Sequence, residues 1–198
     1  MNWNDFTRDV HQTAVDNGLW DKPRTFDDVI CECLVHLGRA YEEYRNGRPN
    51  YYHLCQPSGE KEHPCEWDLQ KPCPLSTGEL ACEHRDHKPH GVAAELGECV
   101  LRILDCLGSW RMKFDRDMFP VYLGKTQTEL VCDVTRILTN ARFAENQGDR
   151  TRSKYYLILS IEKIMGWGKN EGVDMKSILG ELHECDKALA GRRERETP

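Results

Sequence analysis

Residues 88–110 read KPHGVAAELGECVLRILDCLGSW, and their spacing decides the fold class. Val92, Leu96, Cys99, Val100, Ile103 and Leu104 recur at the three- and four-residue intervals of one helix face, which predicts a helix over 91–110. The same period recurs on either side. Phe6, Val10 and Ala14 predict a helix over 2–17, with Gly18 as its stop and Pro23 keeping the following link extended. Thr25 is a good N-cap for a helix running to Asn46-Gly47, with Val29, Ile30, Cys33, Leu34, Leu37 and Tyr41 on its buried stripe. Further helices are expected over 126–146, 150–167 and 174–189, the last capped by Asp174 and ended by Gly191. No stretch alternates long enough to compel a strand, so the expected class is all-α.

The composition narrows the function classes. The chain has 198 residues, 39% hydrophobic and 30% charged, enough for a core and too polar for a membrane protein. No run approaches the roughly 18 uncharged apolar residues of a spanning helix. The opening MNWNDFTRDVHQ has no basic stretch followed by an apolar one, so a cytoplasmic location is expected. A net charge of -6 argues against a partner that is a nucleic-acid polymer. No nucleophile elbow, phosphate-binding glycine loop or H-E-x-x-H pattern is present.

The segment 50–88 differs in character, and the expected division is a helical bundle over 1–49 and 89–198 interrupted by it. It holds four of the ten cysteines, Cys55, Cys65, Cys73 and Cys82, together with His53, His63, His84 and His87. The thiol spacings are not the tight pairs of common zinc modules. Three readings stand: a structural zinc site closed from separate turns, reduced or disulfide-linked thiols, or a redox switch. The other six cysteines lie in apolar-periodic stretches, where a thiol packs as a small hydrophobe. A shift of 101 residues lays Cys31-Glu32-Cys33-Leu34 over Cys132-Asp133-Val134-Thr135 and Asn46-Gly47 over Gln147-Gly148; two readings stand, 126–190 as a degenerate second copy or a chance likeness of two amphipathic helices.

Glu95 and Glu98 stand at i and i+3 on one helix face, and Asp105 continues it. Carboxylates so spaced suit a hard cation such as Mg²⁺; the plainer reading is an acidic face paired with arginines such as Arg102. GLWDKPRTFDDVI (18–30), LVHLGRAYEEYRNG (34–47) and KPHGVAAELGECVLRILD (88–105) come in the order and spacing of the MazG-like all-α nucleoside triphosphate pyrophosphohydrolases, which this sequence resembles; GVDMKSILGELHECDK (172–187) is similar to that family's closing helix.

The resemblance implies a helical protein, dimeric or tetrameric, that splits a nucleoside triphosphate into monophosphate and pyrophosphate with Mg²⁺ held by two carboxylate pairs. One pair maps onto Glu95 and Glu98, whereas His36 and Arg39 stand where the other belongs. Arginine cannot ligate a metal, so one expectation is that Arg39 faces Glu95 and Glu98 as an internal substitute for the cation. The alternatives are that Glu32 and Glu43 complete the metal site, or that Glu129 and Asp133 face the pair. In the closing helix Lys187 would contact phosphate, beside His36 and Arg39, while Asp186 and Leu189 depart from the family pattern and weaken triphosphate binding. The readings carried forward are an Mg²⁺-dependent pyrophosphohydrolase, a catalytically inactive relative binding a nucleotide or protein, and a zinc-stabilised scaffold. The assembly is expected to be a homodimer or an intrachain pseudo-dimer.

Overall fold

The computed structural model describes residues 1–55, 63–65, 89–114 and 126–196. Among these, six helices make the fold: α1 (Trp3–Asp16), α2 (Phe26–Arg45), α3 (Val92–Ser109), α4 (Gln127–Asn146), α5 (Arg150–Asn170) and α6 (Met175–Glu196). The chain is all-α, as the periodicity predicts. Two three-residue strands, β1 (His53–Cys55) and β2 (His63–Cys65), add a small antiparallel ribbon after α2; strands this short leave no alternation to read. No described helix is long and apolar enough to cross a membrane.

Local chemistry sets the helix starts. Thr25 closes a capping box: its Oγ1 accepts from the Asp28 N–H at 3.2 Å, and Asp28 Oδ2 accepts from the Thr25 N–H at 2.8 Å. Thr126 and Glu129 repeat the device at 3.1 and 2.9 Å. Asp174 Oδ1 accepts from the N–H groups of Lys176 and Ser177, as expected of a cap. Two ends differ from expectation. α5 continues past Trp167 to Asn170, and α6 passes through Gly191 to Glu196, where the sequence RRERE supplies good helix formers against a cost of about 1 kcal/mol for an internal glycine.

α3 is the axis of the molecule. Fourteen of its 18 residues are buried, because α1, α2, α5 and α6 all pack against it. Leu96, Val100, Leu104 and Leu107 are fully buried there, each contributing roughly 1.5–3 kcal/mol of apolar transfer. α2 pairs with α3 and α4 with α5, and the pairs join through α2–α4 and α3–α5 contacts. The 101-residue shift carries α2 onto α4: both are 20 residues long, open on a capping box and are followed by a positive-φ glycine, Gly47 and Gly148.

The 50–88 segment leaves and rejoins the bundle at one point. The Ala93 N–H donates to the Asn50 carbonyl at 2.8 Å, and Tyr52 and His90 exchange backbone bonds at 3.1 and 2.8 Å. Gly91 has φ +98, and a Cβ there would lie 2.7 Å from the Asn50 carbonyl oxygen. Only glycine meets both demands.

Candidate functional site

The acidic face of α3 is turned inward. Glu95, Glu98, Arg102 and Asp105 follow one another at helical spacing on a helix buried nearly all round, so their charges need partners inside the protein. Asp105 is only 1% exposed and is fully bonded. Its Oδ1 accepts from Trp20 Nε1 at 3.0 Å and bonds His11 Nδ1 at 2.7 Å, while Oδ2 accepts from Arg24 Nη1 at 3.0 Å. Arg24 also donates through Nη2 to Glu32 and lies 5.4 Å over the Trp20 ring. The α1–α2 link thus reaches across α3 and places a guanidinium between two carboxylates.

Arg102 serves the next turn. Its Nη2 donates to Glu98 Oε2 at 3.1 Å and stands 3.6 Å from Asp186 Oδ2 on α6. Burial works against its cation, but Glu98, Asp186 and Glu32 more than offset that and hold the guanidinium above its ordinary range. At the other end of the face, His36 Nδ1 bonds Glu95 Oε2 at 2.8 Å. A cavity of about 260 Å³ opens beside this network between α1, α3 and α6, with Arg102, Asp105 and Asp186 on its wall and Leu101 and Leu189 in its apolar lining.

The expected site residues fall into three groups. Glu95, Glu98, His36 and Glu32 meet in or beside the α2–α3 seam. Glu43 does not complete a metal site with Glu95 and Glu98; it accepts from the Tyr52 hydroxyl at 2.8 Å and pairs with Arg48. Lys187 is engaged by Asp9 at 2.8 Å and by Glu184 at 3.1 Å. Glu129 caps α4, and Asp133 pairs with Arg136 and Lys163, so neither is placed opposite Glu95 and Glu98.

Arg39 requires correction. It is exposed and pairs with no described residue. The buried side of α2 carries Cys33, Leu37 and Ala40; Arg39 lies about 200° around the helix from Leu37. The nitrogen donors that do face the carboxylates are those of Arg102, Arg24 and His36. The sequence patterns pass over Trp20, Arg24 and His11, because a linker and a neighbouring helix supply them through tertiary contact. The one available signal was an aspartate, Asp105, set among apolar residues that leave it no solvent face.

Mg²⁺ requires carboxylate oxygens and waters in near-octahedral array; here one oxygen of Glu95, one of Glu98 and both of Asp105 are engaged by nitrogen donors at 2.7–3.1 Å, which compete with a divalent cation for these carboxylates. Among the described residues with placed side chains, no group of three or more histidines, cysteines, aspartates or glutamates is arranged to hold a metal. Of the thiols expected in a zinc site, Cys73 and Cys82 lie outside the described residues, and Cys55 and Cys65 are described as strand backbone. Comparison with protein-family models, curated proteins and solved structures gives no match.

Proposed function

We propose that this chain is a non-hydrolytic MazG-like protein, a binding module in which built-in arginines and a histidine take the part of the catalytic metal. The observation that carries the reading is the pairing of Glu98 with Arg102, Asp105 with Arg24 and Glu95 with His36. A guanidinium cannot lose its proton in a protein, so the charges of Arg102 and Arg24 are permanent. The cavity beside Arg102 is the ligand site in this reading. A nucleotide is the ligand class that the resemblance implies, but Asp186 on the cavity wall and the engagement of Lys187 by Asp9 and Glu184 disfavour a triphosphate.

The hydrolytic reading has one observation in its favour. Glu95 and Glu98 keep the i, i+3 spacing on α3, and Glu95 has 22% of its side chain exposed beside His36. One experiment separates the two. Mg²⁺ and then Mn²⁺ are titrated calorimetrically into chelator-treated protein, and pyrophosphate release from the common nucleoside triphosphates is followed in parallel. The non-hydrolytic reading expects no binding up to millimolar metal and no pyrophosphate. Metal binding abolished by Glu95→Ala, with pyrophosphate released by the wild type, would overturn it.

A further inference from the structure

The cavity between α1, α3 and α6 has two kinds of wall. Val10 and Ala14 of α1, Leu19 of the following link, Leu101 of α3 and Leu189 of α6 make it apolar on one side, and Arg102, Asp105 and Asp186 bring charge to the other. Leu189 is 55% exposed, a large apolar side chain left against water where the cavity opens. At about 260 Å³ the space lies just below the ~300–1,000 Å³ of drug-sized pockets, so a ligand that fits it is small.

The sign of that ligand's charge follows from the charges around it. Arg24 is shared by Glu32 and Asp105, and Arg102 by Glu98 and Asp186. Among the described side chains of this network, four carboxylates face two guanidiniums. The surplus is two negative charges, or one where the His11 ring on Asp105 carries a proton. Lys187, next to Asp186 on α6, does not cancel it, because Asp9 and Glu184 both hold its ammonium. The two carboxylates on the cavity wall are sheltered: the Asp105 side chain is buried and that of Asp186 is 19% exposed. Charge so enclosed is weakly screened by salt and acts strongly at short range.

We infer that the cavity takes a small organic cation, with an ammonium or amidinium group at Asp186 and a hydrocarbon body against the leucines. The inference rests on the non-hydrolytic reading only in taking this cavity as the ligand site. Both oxygens of Asp105 already accept from Trp20, His11 and Arg24, which leaves Asp186 as the carboxylate to meet the ligand. Its Oδ2 stands 3.6 Å from Arg102 Nη2. A carboxylate offers about four lone-pair sites, so Asp186 can keep that pairing and accept from an ammonium as well. An anionic ligand would add to the negative surplus, and a neutral one would leave it uncompensated. The apolar walls select against a bare metal ion, which has no carbon surface to set against Leu101 and Leu189.

The test uses the full chain with ¹³C-labelled leucine and valine methyl groups, and three probes of similar shape and different charge: benzylamine, benzyl alcohol and benzoate. Each is titrated near neutral pH, and the methyl shifts of Leu101 and Leu189 locate it. Benzylamine should bind about 10-fold more tightly than benzyl alcohol, since hydrogen bonds to charged groups are the stronger ones, and benzoate should bind more weakly than either. Asp186→Asn should remove the preference for the amine. Leu189→Trp, a change at an exposed position that narrows the opening, should weaken all three. Far-ultraviolet circular dichroism checks that each variant keeps its helices. Equal or tighter binding of the alcohol or of benzoate at the same methyl groups would overturn the cation assignment while leaving the cavity as the ligand site. No shift at these methyl groups with any probe would overturn the cavity as well. Pyrophosphate release in the metal titration would overturn the non-hydrolytic reading and leave the probe order as a separate result.

Discussion

Replacing Asp105 by asparagine tests whether the inward-facing charges hold the bundle together. Asparagine keeps the size of the side chain and can still accept from Trp20 and His11. It removes the charge opposite Arg24, whose side chain is only 9% exposed, and can set an amide N–H₂ against a guanidinium nitrogen now 3.0 Å from Oδ2. Stripping one partner from a buried ion pair costs about 3–5 kcal/mol. Glu32 remains as a second, 41% exposed partner for Arg24, so the lower end, about 3 kcal/mol, is the expectation. For a chain of this size each kcal/mol moves Tm by roughly 2–4 °C, giving a fall of about 6–12 °C. Thermal melts by circular dichroism at 0.1 and 1 M salt measure it. The fall should persist at high salt, because a buried pair is poorly screened. Arg24→Met should be similarly costly, and the double variant less so than the sum, with a coupling of about 1–3 kcal/mol. A loss below about 1 kcal/mol, or one that vanishes in salt, would place these residues among ordinary surface pairs and refute the reasoning.

Other outcomes follow from separate parts of the molecule. The hydrogen bonds from Lys187 and His183 to Asp9 hold its carboxyl below the usual range; a depressed carboxylate stabilises above its unfolded pKa, about 4, and that contribution is lost as pH falls through the folded value. Asp9→Asn should therefore lower Tm at pH 7, and by progressively less as the pH falls below about 4, in paired melts. At Gly97 a methyl group would sit 2.6 Å from Leu182 Cδ1 where α3 meets α6; Gly97→Ala should cost about 1–3 kcal/mol of packing, less up to ~1 kcal/mol of helix propensity, and a raised Tm would contradict that contact. The contact with Cys99, and then burial, raise the Cys33 thiol, and burial raises that of Cys106, whereas Cys31 and Cys132 are exposed. Alkylation followed residue by residue in a mass spectrometer should, among the cysteines with described side chains, label Cys31 and Cys132 first and reach Cys33 and Cys106 only in denaturant.

Much of the fold is legible because its signals are local. The apolar stripe through Val92, Leu96, Val100 and Ile103, and the caps at Thr25, Thr126 and Asp174, depend on neighbours within a turn or two. The β1–β2 ribbon gives no such signal, since its pairing depends on register between strands three residues long. The site is legible only in part for the same reason. Spacing puts Glu95, Glu98 and Asp105 on one face, but cannot say that the face is buried against α1, α2 and α6. An ungapped comparison of α2 favours Arg39 as the internal cation; the helix instead turns that residue outward and brings His36 to Glu95. Arg24 reaches Asp105 from 81 residues away. No window of sequence contains that pair.

The pinch at Asn50 and Gly91 has a consequence for how such a chain can change. With the two crossing strands of backbone already tied by the Ala93–Asn50 and Tyr52–His90 bonds, the ends of the 50–88 segment are held together whatever lies between them. Lengthening a loop whose ends are fixed costs only about 0.6 kcal/mol for each doubling. The stem therefore works like a socket. Descendants of this chain can enlarge, shorten or re-equip what is plugged into it, and the six helices carry the exchange without being redesigned.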